Sequence, residues 1–270
     1  MLIDAFAEDW IDALCHRARQ LPASRKNYLL LDGAFVPGLH RRLPKENKAL
    51  LFAALPGHLE DAEDVSPFLT LFTPDNSDLK RILMSCNRWP MVSAIETPET
   101  LEQLTNRLVA WCLVETDGQR FNFRFPDTRR LASILKALSP LQRAQIAGLA
   151  TCWSYIDRDG HWRHLNLPGH DTDIVIVPEL DERQFASLVM DSAADEILVM
   201  LADRGHKVFE HASQSHALVT SALYAADTMQ LPNGALFDWC EWLWYRRHLH
   251  DDSDRRSIFQ AWFDEYFSGD

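Results

Sequence analysis

Glycine is scarce in this chain, with 10 in 270 residues. Neither Gly-x-Gly-x-x-Gly nor Gly-x-x-x-x-Gly-Lys-Ser/Thr occurs, which excludes the common loops that cradle phosphates. Gly-x-Ser-x-Gly, the elbow that presents a nucleophilic serine, is missing too. The five cysteines, Cys15, Cys86, Cys112, Cys152 and Cys240, are scattered and form no Cys-x-x-Cys pair. That argues against a zinc ribbon or a disulfide framework and for buried, reduced thiols. No apolar run reaches the roughly 18 residues a spanning helix needs, so no membrane insertion is expected. Residues 1–16 carry acids where a secretory leader needs bases, so a cytoplasmic location is expected. Positive charge is in deficit: 27 Lys and Arg stand against 39 Asp and Glu, for a net charge of −12. A nucleic-acid partner, which selects a basic footprint, is therefore not expected.

What is present is a chain 47% hydrophobic, enough for a substantial core. Phe6, Trp10, Leu14 and Ala18 fall at helical spacing. Tyr28–Leu31 is a short apolar run stopped by Asp32-Gly33, which reads as a buried strand. Leu50–Leu55, Phe68–Phe72 and Met91–Ile95 read as further strands. Asn76 is placed to cap a helix with Leu79, Ile82, Leu83 and Cys86 inward. Thr97-Pro98-Glu99 reads as another helix start, with Leu101, Leu104 and Leu108 on its inner face.

Trp111–Glu115 and Phe121–Phe125 flank Asp117-Gly118 and predict a hairpin, with Phe121, Phe123 and Phe125 on one face. A second hairpin is expected over Trp153–Ile156 and His161–Leu165. Ile174–Val177 is strand-like. After Pro178 the pattern turns helical. Asp181 and Gln184 form a capping-box spacing, Gly205 marks a stop, and helices are expected over 212–229, 235–249 and 257–267. The expected fold class is an α/β lobe, a mixed sheet flanked by helices, over 1–170, followed by an all-α lobe over 171–270.

His170, Asp171 and Asp173 are the most metal-like cluster, because an imidazole and two carboxylates can share an ion. The competing reading is a solvated loop, and no metal or other cofactor is expected. Phe259, Trp262, Phe263, Tyr266 and Phe267 fall at i, i+3, i+4, i+7 and i+8, one continuous aromatic stripe. Trp239, Trp242 and Trp244 lie just upstream. The stripe either closes the helical lobe's own core or offers a partner a groove rich in hot-spot residue types. Asp251-Asp-Ser-Asp254 is placed to cap this last helix.

The segment Asp117-Gly-Gln-Arg-Phe-Asn-Phe-Arg-Phe-Pro-Asp-Thr-Arg-Arg-Leu131 resembles the signature of the type VI secretion effector chaperones. These are the Tap or TEC adaptors, first catalogued as a domain of unknown function. Asp117-Gly118, Phe123-Arg124-Phe125, Asp127 and Arg129 match, while Pro126 and Thr128 replace the family's tyrosine and proline. Leu30-Leu-Asp-Gly-Ala34, Ser66-Pro-Phe-Leu69 and Leu138-Ser-Pro140 with Gln142 agree in order and spacing, so the resemblance covers about 27–155. It implies an adaptor, not an enzyme, that binds a toxic effector in the producing cell and helps load it onto the VgrG spike. Arg124 and the eight aromatics from Trp239 to Phe267 named above are the expected partner contacts. Asp127 is expected to cap a helix. Two rival readings are an immunity-type protein that neutralises a toxin, and a metal-dependent hydrolase centred on His170, Asp171 and Asp173.

Overall fold

The computed structural model describes residues 2–55, 60–246 and 255–267, without the side chains of 60, 61, 233, 255–257 and 267. The chain divides into two compact units, Met1–Asp191 and Ser192–Asp270.

The first unit is built on a six-stranded sheet of β1 (Lys26–Leu31), β2 (Lys48–Leu50), β3 (Phe68–Leu71), β4 (Val92–Thr97), β7 (Cys152–Ile156) and β8 (Trp162–Asn166). Their order across the sheet is β2-β3-β1-β4-β7-β8. Every neighbouring pair is antiparallel. β5 (Leu113–Thr116) and β6 (Gln119–Asn122) form a separate hairpin. The fold class read from the sequence, a sheet flanked by helices followed by an all-helical region, is the one observed.

β1 is central, and its side chains alternate between two cores. Tyr28 and Leu30 join Ile95 and Trp153 in one core. Leu29 and Leu31 join Val92 and Ala94 in the other. A strand covered on both faces has no polar positions to spare, which explains the unbroken Tyr-Leu-Leu-Leu run. Helices α1 (Trp10–Gln20) and α2 (Ser77–Met84) cover the second core through Trp10, Leu14, Leu79 and Leu83. Helices α3 (Leu101–Ala110), α4 (Thr128–Ala137) and α5 (Pro140–Ala147) cover the first through Leu104, Leu108, Leu131, Ile134 and Ile146. Asn76 caps α2 as expected, its Oδ1 accepting the Leu79 N–H at 2.9 Å.

Three local expectations are corrected. The strand expected over Leu50–Leu55 is only Lys48–Leu50, and the chain then turns through a 3-10 segment, Phe52–Ala54. That turn buries Leu51, and the Ser66 hydroxyl takes the Phe52 N–H at 3.0 Å. The helix expected at Thr97-Pro98-Glu99 begins three residues later. Thr97 closes β4 opposite Lys26, and Thr100 and Gln103 form a reciprocal capping box. Ile174–Val177 is not a strand, and Ile176 is 94% exposed.

One buried ion pair ties this unit together. Arg107 on α3 donates to Glu99 Oε1 from Nε at 2.9 Å and from Nη2 at 2.7 Å. Its Nη1 reaches the carbonyls of Gln145 and Thr172 at 3.1 and 3.2 Å. Both partners are about 95% buried, with side-chain exposures of 5% and 4%.

Helix α6 (Glu182–Asp203) starts at the expected capping box, with reciprocal Asp181–Gln184 bonds of 3.0 and 2.8 Å. It stops before Gly205, where the His206 N–H returns to the Leu201 carbonyl at 3.1 Å. The second unit continues with α7 (Ala212–Thr228), α8 (Leu236–Arg246) and α9 (Arg255–Phe267) around one aromatic core. No described helix is long and apolar enough to cross a membrane.

Candidate partner-binding site

Three stretches distant in sequence meet at one cleft of about 290 Å³ in the first unit. Its walls are mainly Ala34, Phe52, Val65, Pro67, Phe123 and Pro126, with Arg124 and Asp32 among the lining residues.

The first stretch is the exit from β1. The Asp32 N–H bonds to the Met91 carbonyl at 3.0 Å, and its Oδ1 accepts the Ala34 N–H at 3.1 Å. This is the local turn chemistry that favours aspartate after a strand. The second stretch, Val65-Ser66-Pro67, presses against Gly33. A Cβ on Gly33 would lie 2.3 Å from the Ser66 carbonyl oxygen, so only glycine allows the approach.

The third stretch leaves the hairpin. Asp117 and Gly118 adopt φ of 48° and 72°, the left-handed pair that a two-residue hairpin turn demands. Strand pairing ends at Asn122. The alternation runs on, so Phe123 and Phe125 are buried at 5% and 0% exposure and Arg124 points the other way. Asp127 then caps α4 as expected, accepting the Arg129 N–H at 3.1 Å. The Arg129 guanidinium clasps the same carboxylate at 3.0 and 2.7 Å.

Arg124 joins the stretches. Its Nη2 lies 3.0 Å from Asp32 Oδ2 and 3.8 Å from Asp127 Oδ2. Arg124 and Arg129 both stand over the Phe35 ring, at 5.6 and 5.7 Å, and Phe35 stacks on Trp89. Arg124 keeps a side-chain exposure of 43%, whereas Asp32 has 2%. Burial pushes the Asp32 carboxyl above the usual carboxylate range. Arg124 and the Ala34 N–H pull it back, and Asp127 adds to the rise. Burial also holds the Cys112 thiol at the back of the cleft un-ionised, pushed up to about 12. The site thus offers apolar walls and one accessible guanidinium, suited to an apolar side chain beside a carboxylate or carbonyl.

The contact of Arg124 with Asp32 was not legible in the sequence. Nothing in the spacing links positions 92 residues apart. Phe35 and Arg129 were likewise not singled out as contacts of Arg124.

The aromatic residues of the second unit are largely turned inward. Trp239, Trp244, Phe259 and Trp262 have exposures of 1%, 5%, 1% and 2%. Trp239 packs against Phe259 and Trp262 at 4.9 and 5.2 Å and donates its Nε1–H to the Ala222 carbonyl at 2.9 Å. These four present no surface. Trp242 is half-buried beneath the Arg246 guanidinium at 4.0 Å, and Phe263 is half-buried against the same core. Tyr266 is 44% exposed, and its hydroxyl donates to Asp238 at 2.8 Å. The Phe267 side chain and the expected cap at Asp251–Asp254 lie outside the described residues.

His170, Asp171 and Asp173 are exposed on a loop without regular structure. Among the described residues, no group of three or more His, Cys, Asp or Glu is arranged to hold a metal ion.

No curated protein matches the chain, and no solved structure does. Residues 27–145, which run from β1 into α5 and contain all three stretches of the cleft, match the family described as Domain of unknown function (DUF4123), a family associated with type VI secretion effector adaptors.

Proposed function

We propose that this chain is a non-catalytic cytoplasmic adaptor that holds a type VI secretion effector and helps load it onto the VgrG spike. The observation that carries this reading is the coincidence of the family match with the cleft. The Asp32-Gly33, Ser66-Pro67 and Phe123-Arg124-Phe125 stretches all fall inside residues 27–145 and converge there. Physically they form a scaffold: glycine for close approach, phenylalanines for the core, and carboxylates that fix Arg124 at the lip. The groups that could do chemistry are engaged, Asp32 by Arg124 and Ala34 and Cys112 as a neutral thiol. That arrangement favours recognition over turnover.

The test is co-expression of the tagged chain with candidate type VI effectors from the same genome. A stable, soluble complex is expected, weakened by Val65→Glu, which places a charge at the cleft wall where Val65 is 36% exposed. Two soluble proteins that never co-purify would contradict the proposal.

A further inference from the structure

The cleft beside Arg124 has a size, a charge balance and two uncommitted polar groups that narrow what it can hold. Its volume is about 290 Å³. A water takes about 30 Å³, so the space suits about ten heavy atoms, the size of a tryptophan side chain. Pockets that enclose a small-molecule ligand start at about 300 Å³ and run larger. One bulky side chain is the better match.

The formal charges at the lip cancel. Arg124 and Arg129 stand beside Asp32 and Asp127. Asp127 is fully engaged, capping α4 and clasped twice by Arg129. Asp32 accepts from Arg124 and from the Ala34 N–H. An acidic occupant would meet the Asp32 carboxylate in the wall, and a basic one would meet Arg124. The site therefore selects against charge of either sign and for an apolar body, against Phe52, Val65, Pro67 and Phe123.

Two polar groups are left over. Arg124 spends Nη2 on Asp32, and among the described residues its Nε and Nη1 meet no acceptor. Asn122 lines the cleft and is exposed, and its side-chain amide has no hydrogen bond among the described residues. The first can donate to a main-chain carbonyl, and the second can accept an N–H. A large apolar side chain that carries one N–H is an indole.

We propose that the cleft is an anchor pocket for one tryptophan side chain of a partner protein, its indole N–H donating to the Asn122 side-chain oxygen and Arg124 donating to the neighbouring main-chain carbonyl. Tryptophan is enriched among the few residues that carry most of an interface's binding energy, and such residues sit in well-packed pockets. A second copy of this chain does not supply it, because each of its nine tryptophans is buried or half-buried. That the partner is a secreted effector rests on the adaptor reading. The choice of tryptophan does not.

The probe is end-blocked Gly-Trp-Gly, with blocked Gly-Phe-Gly, Gly-Leu-Gly and Gly-Glu-Gly as controls, titrated into the isotope-labelled full chain. Gly-Trp-Gly is expected to shift the Ala34 and Val65 methyl signals and the Asn122 side-chain amide, and to bind about fivefold tighter than Gly-Phe-Gly. Asn122→Leu removes the acceptor from an exposed position and should erase that preference while leaving Gly-Phe-Gly binding unchanged. Ala34→Phe fills the cleft and should weaken Gly-Trp-Gly binding about tenfold or more. Equal binding of Gly-Trp-Gly and either Gly-Leu-Gly or Gly-Glu-Gly, shifts confined to other surfaces, or a tryptophan preference that survives Asn122→Leu would overturn the proposal. If the effector co-purifies equally well with the Ala34→Phe chain, the anchor proposal falls and the adaptor reading stands. If Gly-Trp-Gly binds in the cleft as described but no effector co-purifies, the reverse holds.

Discussion

Replacing Arg124 with methionine tests whether the three stretches are held by charge. The methionine keeps much of the apolar stem and removes the guanidinium. Asp32, with 2% exposure, is then left with the Ala34 N–H as its remaining hydrogen bond. At the observed 3.0 Å, a unit charge pair is worth about 5.5 kcal/mol at an effective dielectric constant of about 20, and about 1.4 kcal/mol in water. The 43% exposure of Arg124 draws the value toward the lower figure, so the expected loss is about 1–3 kcal/mol near neutral pH. The pH dependence follows from the direction of the Asp32 shift. Its carboxyl already titrates above its unfolded value because burial disfavours the charge. A raised folded value means the group's favourable contribution is fully present below the unfolded value and is lost as pH rises through the folded one. Removing Arg124 raises the folded value further. The penalty should therefore be largest near neutral pH and shrink as the solution is acidified toward the unfolded value. Adding Asp32→Asn should recover most of the loss, since no buried charge remains. Urea unfolding followed by hydrogen exchange at the β1 amides reads the first unit alone. A loss under about 0.5 kcal/mol near neutral pH, or a double variant as unstable as Arg124→Met, would refute the argument.

Arg107→Met should cost the first unit about 3–5 kcal/mol, because it leaves the Glu99 carboxylate buried without its cation; the same exchange assay measures it. Gly33→Ala should destabilise that unit by about 1–3 kcal/mol or more through the clash with the Ser66 carbonyl, and should weaken partner binding with it. Trp239→Ala should cost the second unit about 3–5 kcal/mol, whereas Tyr266→Phe, which removes one exposed hydroxyl bond, should change stability by under about 0.5 kcal/mol. Thermal unfolding of the two variants side by side distinguishes these outcomes.

The parts of the fold legible in the sequence were those governed by local chemistry. Asp117-Gly118 made its turn, Asn76, Asp127 and the Asp181–Gln184 pair capped their helices, and the Tyr28–Leu31 run proved to be a strand buried on both faces. Errors arose where two local solutions compete. Leu-Leu-Phe-Ala-Ala-Leu has no clear period, and the Ser66 hydroxyl drew it into a 3-10 turn rather than a strand. Pro98 suggested a helix start, but Thr97 was already held by the β1 ladder, so the cap moved to Thr100. The cleft was legible only in pieces. Each of its three stretches stood out, but their meeting depends on strand order and on one arginine reaching across 92 positions. The aromatic stripe shows the opposite limit. Phe259 and Trp262 turn into the core while Tyr266 stays 44% exposed, and spacing alone does not say whether a face meets its own core or a partner.

The most direct measurement of the central claim is export of the toxin that co-purifies with this chain, from cells with and without it. As an adaptor, its deletion should abolish secretion of that toxin while leaving the apparatus active toward other cargo, and the wild-type chain should restore it. Unchanged secretion from the deletion strain, together with protection of target cells that express the chain, would contradict the adaptor account and identify an immunity protein instead.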